Sequence, residues 1–254
     1  MSGAIAVERQ DELAIVTLDN PKKRNALDPP MLDALCDALA RLPDEGARAV
    51  VLTAAGDRAF SSGFDLSALS DEAALANNPL ARALAAISGG ALPVIAALNG
   101  LAIGGGCELA ASCDLRVAHP QVTLMMPPVR LGIVYPPSGL QRFVALIGAS
   151  RVRELFLCAQ PISAERALGW GLVDRVVPEA EVLPCAIGLA REIARGAPLA
   201  VRGTRKILEE LIPPLAPEVA RQLAELQRAA WISDDAREAR QAFAEKRAPR
   251  FAGR

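Results

Sequence analysis

Three consecutive glycines with a glutamate two residues on, Gly104-Gly105-Gly106-Cys107-Glu108 within Leu98–Ala110, put a tight turn and one acid at the head of an apolar helix. Glycine loses the most conformational entropy on folding, so a run of three is expected where backbone must approach a ligand and no Cβ fits. N–H groups at a helix start have no partner inside the helix and face negative charge. The chemistry suggested is stabilisation of a developing anion, with Glu108 as a nearby acid or base. A second small-residue turn, Ala59-Phe60-Ser61-Ser62-Gly63-Phe64-Asp65-Leu66, follows the apolar run Ala49–Thr53, which has the length and β-branched content of a strand. Two N–H donors from different turns can hold one oxyanion. A lone glycine cluster equally describes an ordinary strand-to-helix connection, so the pair of turns is the specific signal.

The elements needed to position these turns read as repeated strand-turn-helix units. Ile15–Leu18 leads through Asn20-Pro21 to a helix from about Asp28 to Leu42, with Asp28 as N-cap and Pro29 in the first position. Further strands are expected at Ala49–Thr53, Val94–Leu98, Leu115–Val117, Val122–Leu124 and Val173–Val177. Short apolar strands alternating with helices indicate an α/β fold with much parallel pairing. Ile87–Cys107 carries no charge, but Pro93, Asn99 and the glycines interrupt any continuous helix, so a buried strand feeding the turn is expected rather than a membrane span. After Pro184 the pattern is wholly helical, with amphipathic stretches at Ala186–Ala194, Leu199–Leu211 and Pro217–Trp231. The chain is therefore divided into an α/β core over 1–185 and a C-terminal helical region over 186–254.

Composition narrows the partners. With 254 residues, 52% hydrophobic and 22% charged, a large core is available, and a net charge of −1 supplies no basic field for nucleic acid. The cysteines, Cys36, Cys107, Cys113, Cys158 and Cys185, are odd in number and lack metal-ligand spacing, so no metal is expected and reduced, buried thiols are. Early Glu8 and Asp11 and the lack of a basic stretch before an apolar run suggest no secretory signal and a cytoplasmic protein. The single histidine, His119, reads as a surface turn residue.

Asn20-Pro21-Lys22-Lys23-Arg24-Asn25-Ala26-Leu27, the two turns above and Ala242-Phe243-Ala244-Glu245-Lys246-Arg247, in this order, resemble the enoyl-CoA hydratase/isomerase family, also called the crotonase family. The likeness spans nearly the whole chain. It implies a crotonase-like spiral of strand-strand-helix units with a C-terminal trimerisation region, and assembly as a homotrimer or a dimer of trimers. The implied substrate is an acyl-CoA thioester, with coenzyme A part of the substrate and no separate cofactor. By motif, the amides of Phe64 and Gly105 bind the thioester oxygen, while Asp65, Leu66 and Ser67 line the path from adenine to pantetheine. Lys22, Lys23, Arg24 and Ala26 lie where the family cradles adenine, and Phe243 and Lys246 lie in the tail motif, from which Lys246 reaches a neighbouring subunit's ligand. Three of the four lysines, Lys22, Lys23 and Lys246 but not Lys206, fall in these two motifs, and a flexible ammonium suits a mobile phosphate.

The chain departs from the hydratase pattern at one acid. Glu108 matches the first of two glutamates that activate water in the family's hydratases, but Pro128 stands where the second belongs, and no acid occurs between Asp114 and Glu154. Isomerases and dehalogenases of the family also use an acid in this region. The same stretch holds the only tyrosine, Tyr135. Glu108, Pro128 and Tyr135 together with the tail resemble the family's methylmalonyl-CoA decarboxylases, although those have a histidine where Phe64 stands. A second glutamate would repel a malonyl-type carboxylate, whereas Pro128 and Met125-Met126 help to strip its water; Tyr135 then orients the carboxylate or protonates the carbanion, unless it is a pocket wall. The leading expectation is decarboxylation of a malonyl-type CoA thioester. The alternatives are an enoyl-CoA hydratase working with one glutamate and a noncatalytic acyl-CoA-binding relative.

Overall fold

The computed structural model describes residues 2–65, 78–212 and 216–252. These form two compact units, one of Met1–Leu124 with Ile162–Leu211 and one of Met125–Pro161 with Ile212–Arg254.

In the first unit a six-stranded sheet has the order β1 (Ala4–Gln10), β2 (Leu13–Asp19), β3 (Ala49–Ala54), β5 (Val94–Leu98), β7 (Leu115–Ala118), β10 (Arg175–Val176). The β1–β2 pair is antiparallel, and every later pair is parallel. All residues of β3 and β5 are buried, as expected of parallel strands covered on both faces. A four-stranded sheet takes β4 (Ala59–Ser61), β6 (Leu101–Ile103), β8 (Thr123–Met125) and β9 (Ile162–Ser163) in that order. Successive strand pairs β3–β4, β5–β6 and β7–β8 thus put one strand in each sheet, and the chain spirals through both. The fold is mixed α/β, as the alternating pattern predicts. Strand β1 was not among the expected strands: its apolar run, Ala4-Ile5-Ala6-Val7, is short and passes directly into Glu8-Arg9-Gln10, and all its side chains are partly buried or exposed.

Helix α1 (Pro29–Arg41) begins as predicted: Asp28 Oδ1 accepts the Met31 N–H at 2.9 Å, and its Oδ2 accepts that of Gly3 at 2.7 Å. Helices α2 (Pro79–Ser88) and α3 (Gly105–Ala111) follow β4 and β6, and α5 (Ala164–Trp170) links β9 to β10. The helix α6 (Val182–Ala194) lays Val182, Ala186, Ala190 and Ala194 on Leu13, Ile15, Val51, Ile95 and Val117. Alanine at this i, i+4 spacing lets the helix sit close to the sheet. Residues 186–194, grouped above with the C-terminal region, therefore belong to the core of the first unit. From α7 (Pro198–Glu210), Arg205 donates to Asp114 Oδ1 at 2.6 Å, to Gly90 O at 2.5 Å and to Ile87 O, tying the end of α2 to the start of β7.

The second unit contains a 3-10 turn at Pro128–Leu131, α4 (Pro137–Arg153) with a break at Gly148, a π turn at Glu154–Cys158, α8 (Pro217–Ile232) and α9 (Asp234–Ala244). Gly132 adopts φ +65°, and a Cβ there would stand 2.8 Å from Ala236 Cα, so the turn and α9 meet through small residues. Among the described residues no helix is long and apolar enough to cross a membrane, and no group of three or more His, Cys, Asp or Glu is placed to hold a metal ion.

Two expectations about single residues are corrected. His119 is buried, because the turn closed by the Val122 N–H on His119 O folds the ring inward, with Nδ1 2.8 Å from Gln121 Oε1. Cys107 and Cys113 are buried thiols, but Cys158 is exposed at the end of the π turn, and Cys36 and Cys185 are partly exposed.

The tail folds back on α9 through two carboxylates, Asp235, whose Oδ1 accepts the Ala252 N–H at 2.6 Å, and Glu238, which takes the larger share of the bonds. Glu238 accepts Arg247 Nη1 at 2.5 Å, Arg247 Nη2 at 2.9 Å and the Arg250 N–H at 2.8 Å. These bonds, led by the guanidinium, lower its pKa to about 2. A depressed carboxylate stabilises the attached form above the ordinary carboxylate range and loses that effect as pH falls through the folded value. NMR titration should find Glu238 ionised to about pH 2 and the Arg250 amide protected until then. In Arg247→Ala both transitions should move up toward pH 4.5; an unchanged titration would show that the pair does not hold the tail.

Candidate active site

The site is assembled from loops stitched together by backbone. The 20–27 loop opens with a 3-10 turn at Pro21–Lys23 and then takes left-handed conformations at Arg24 (φ 54°) and Asn25 (φ 52°). Asparagine tolerates that conformation better than most residues. The Asn25 side chain is buried and fully used: Oδ1 accepts the Asn20 N–H at 2.9 Å, and Nδ2 donates to Ala55 O at 2.9 Å and Ala59 O at 2.7 Å. The loop then bonds to the turn after β4, with Ser62 N–H on Arg24 O at 2.9 Å, Leu27 N–H on Gly63 O at 2.8 Å and Asp65 N–H on Leu27 O at 2.9 Å.

These bonds aim a donor. Because the peptide is trans and planar, the carbonyl of Gly63 and the N–H of Phe64 point in opposite directions. Leu27 holds the Gly63 carbonyl, so the Phe64 N–H turns away from it, toward α3. Gly63 itself, at φ +101°, has no room for a side chain: a Cβ would stand 2.7 Å from Ile103 O.

The second donor lies at the start of α3. Gly104 supplies the N-cap with φ 53° and ψ −121°, and Gly105 is the first helical residue, whose N–H has no partner within a helix. A Cβ on Gly105 would lie 3.2 Å from Phe64 N and 2.9 Å from Leu80 Cδ2. The two amides therefore border one small space with Leu80 of α2 on its edge. Among the described residues neither N–H has a protein acceptor. Such a space can take the oxygen of a thioester and the enolate formed from it, and donors fixed beforehand need no reorganisation as charge develops. Glu108, one turn along α3, is 4% exposed, so its carboxyl sits inside the protein at the same helix end.

The other predicted positions fall as follows. Lys22, Lys23 and Arg24 are exposed and Ala26 is partly buried on the 20–27 loop. Lys23 Nζ is 3.1 Å from Asp65 Oδ2, which joins two motifs; with half of Lys23 exposed this pair is worth less than about 1 kcal/mol and leaves the ammonium able to exchange partners. Leu66 and Ser67 lie outside the described residues. In the second unit Pro128 is buried at the head of its 3-10 turn, and Met126 is buried beside it in sequence. The Tyr135 ring packs edge-on against Phe156 at 5.2 Å, and Phe156 against Phe143 at 5.1 Å. Phe243 is exposed in the last turn of α9, and Lys246 follows at φ 55°. The first unit thus brings together the 20–27 loop, Phe64, Asp65, Gly105 and Glu108. Sequence reasoning passed over Asn25, Ser61 and Leu80 as individual contributors; an asparagine inside an otherwise basic loop was the one visible signal.

Residues 8–254 match the family model described as enoyl-CoA hydratase/isomerase. The carnitinyl-CoA dehydratase of Salmonella typhi is 36% identical, covering 100% of both chains. A structure of methylmalonyl-CoA decarboxylase in complex with 2-nitronate-propionyl-CoA superposes with a TM-score of 0.94 at 30% identity over 99% of both chains. The enoyl-CoA hydratase of Bacillus anthracis superposes with a TM-score of 0.77 at 32% identity over 98% of this chain and 99% of its own.

If the space between Phe64 and Gly105 receives the thioester oxygen, filling it must stop turnover. Gly105→Val should lower kcat on acyl-CoA substrates by about 100-fold or more, the loss typical of one oxyanion donor. Circular dichroism should show the fold retained, since the nearest side chain, Leu80, can swing aside. Unchanged turnover would remove this assignment.

Proposed function

The chain belongs to the enoyl-CoA hydratase/isomerase family, and on that premise we propose that it decarboxylates a malonyl-type CoA thioester through an enolate held by the Phe64 and Gly105 amides. The carrying observation is the combination of a retained oxyanion cradle and a buried Glu108 with a second-acid position occupied by Pro128, in a stretch from residue 115 to 153 without any Asp or Glu. The backbone likeness to methylmalonyl-CoA decarboxylase adds support.

In this reading the C–C bond to the carboxylate breaks, carbon dioxide leaves, and the electron pair moves onto the thioester carbonyl as an enolate. The two amides hold the enolate oxygen. A proton then returns to the α-carbon, and Tyr135 either supplies it or orients the departing carboxylate beforehand. Lys22, Lys23, Arg24, Ala26, Asp65, Leu66, Ser67, Phe243 and Lys246 bind the coenzyme A portion. No metal or separate cofactor enters this scheme.

Hydration by a single glutamate is the second reading, favoured by the names of sequence relatives, which include the short-chain-enoyl-CoA hydratase of Clostridium acetobutylicum. One carboxyl must then deliver both the hydroxyl and the proton of a water, work that a general acid and a general base normally share.

For assembly we propose a homotrimer or dimer of trimers. Helix α7 exposes Ile207 and Leu208, with Leu211 exposed just past its end, and α8 exposes Leu226 and Ile232, apolar surface of the kind that marks contact with another chain. Light scattering should return a mass of three or six chains in the active fraction; a stable active monomer would overturn this.

Incubation with methylmalonyl-CoA, malonyl-CoA and crotonyl-CoA, followed by mass, tests the reaction. Carbon dioxide release from a malonyl-type thioester is expected. Pro128→Glu should raise crotonyl-CoA hydration and depress decarboxylation by charge repulsion, while Tyr135→Phe should impair decarboxylation by about 100-fold or more, the usual range for a lost proton donor. Efficient hydration of crotonyl-CoA without carbon dioxide from either malonyl-type substrate would replace the first reading by the second.

A further inference from the structure

Ser61 ends β4 and is completely buried. Its Oγ accepts the Gly63 N–H at 3.1 Å, which fixes the peptide plane preceding the one that carries the Phe64 amide. Leu27 fixes the following plane through the Gly63 carbonyl at 2.8 Å. Gly63, with its positive φ, is the hinge between these planes, and a residue so free needs an anchor on each side to have one orientation.

The same serine also touches the other donor's turn. A Cβ on Gly106 would stand 2.6 Å from Ser61 Cβ, 2.6 Å from Ser61 O and 2.8 Å from Ser61 Oγ. Gly106 therefore lies directly against Ser61, and the adjoining Gly105 N–H borders the shared space. One buried side chain bonds to the turn carrying one donor and packs on the turn carrying the other.

We propose that Ser61 is a positioning residue that sets the direction of the Phe64 N–H and its spacing from the Gly105 N–H. This rests on the reading of those amides as the oxyanion cradle. A serine that merely satisfied the Gly63 N–H would affect stability, whereas a serine that aims the donors affects how strongly a bound carbonyl is polarised.

The test uses propionyl-CoA labelled with carbon-13 at the thioester carbonyl, an unreactive ligand for decarboxylation, and infrared difference spectra of its complex. In the unmodified protein the carbonyl stretch should shift to lower frequency on binding. In Ser61→Ala that shift should shrink, with kcat for the turned-over substrate down about five- to tenfold, the size of one net hydrogen bond, and KM within about twofold. Ser61→Cys, which returns a weaker acceptor in the same place, should recover part of both and carries the comparison if the alanine variant is too unstable to purify. A full shift in both variants, or a loss confined to melting temperature or KM, would overturn the role of Ser61 while leaving the cradle intact. No shift in the unmodified protein would instead refute the cradle, and the role of Ser61 with it.

Discussion

The close approach of two backbone turns, with no Cβ between them, is the constraint on which the site depends. Gly63, Gly105 and Gly106 each occupy a position where one added carbon would meet a neighbour at 2.6–2.9 Å. That is well inside ordinary van der Waals contact: at Gly63 and Gly106 the neighbour includes backbone, so a side chain there must move a turn, while at Gly105 it is the end of Leu80, which can yield, with the Phe64 nitrogen next at 3.2 Å. Moving a turn by even a fraction of an ångström matters because a hydrogen bond to an oxyanion is effective only over a narrow range of distance and angle. The glycines therefore accept an entropic penalty of roughly 0.5–1 kcal/mol each relative to alanine in exchange for geometry that no other residue permits.

Such geometry has to be held from outside, since glycine cannot hold itself. Two sheets do much of this: β4 pairs with β6 in parallel, so the strands leading to the two donor turns run side by side and deliver them to the same end. Asn25 adds a tie between the 20–27 loop and the strand entering the first turn, and Leu27 forms an isolated bridge with Phe64. Beneath them, β3 and β5 are fully buried within the six-stranded sheet, which removes freedom from the strands that feed β4 and β6. The 20–27 loop and the turn carrying Phe64 are consequently parts of one hydrogen-bonded structure, so under the proposed function a coenzyme held by the loop is referred to the same backbone as the two amides.

This organisation explains what was legible in the chain. The two turns, Glu108, the strands of the six-stranded sheet other than β1 and the Asp28 cap announce themselves through local composition, because their geometry is dictated by residues adjacent in sequence. Strand β1 did not, since in an edge strand with half-exposed side chains the apolar stretch, here Ala4-Ile5-Ala6-Val7, is short and runs straight into polar residues. Ser61 and Asn25 were visible only as polar residues in plausible turns; Ser61 bonds locally to Gly63 and Asn25 to Asn20, but the packing of Ser61 on Gly106 and the bonds of Asn25 to Ala55 and Ala59 span 30 or more positions, and no local pattern records them. His119 misled for a related reason, because a histidine after a strand reads as surface until the turn is seen to fold inward. The division at residue 185 followed the change from mixed to helical pattern, but α6 owes its place to a row of alanines whose counterpart is the sheet.

The cradle by itself does not select a reaction, because any chemistry passing through a thioester enolate benefits from it. Under the proposed function selection falls to the charges around the reacting carbons, and magnitudes decide which way a proline in place of the second acid leans. A second carboxylate roughly 6 Å from a substrate carboxylate would oppose it by about 3 kcal/mol at an effective dielectric constant of 20, a factor of about 100 in binding. The same carboxylate, as a general acid or base for water addition, is worth about 100- to 10,000-fold in rate. On the proposed reading, a proline in its place moves the balance between a carboxylate-bearing substrate and a neutral enoyl substrate by about 10,000-fold or more. No acid elsewhere between residues 115 and 153 is available to restore the lost one.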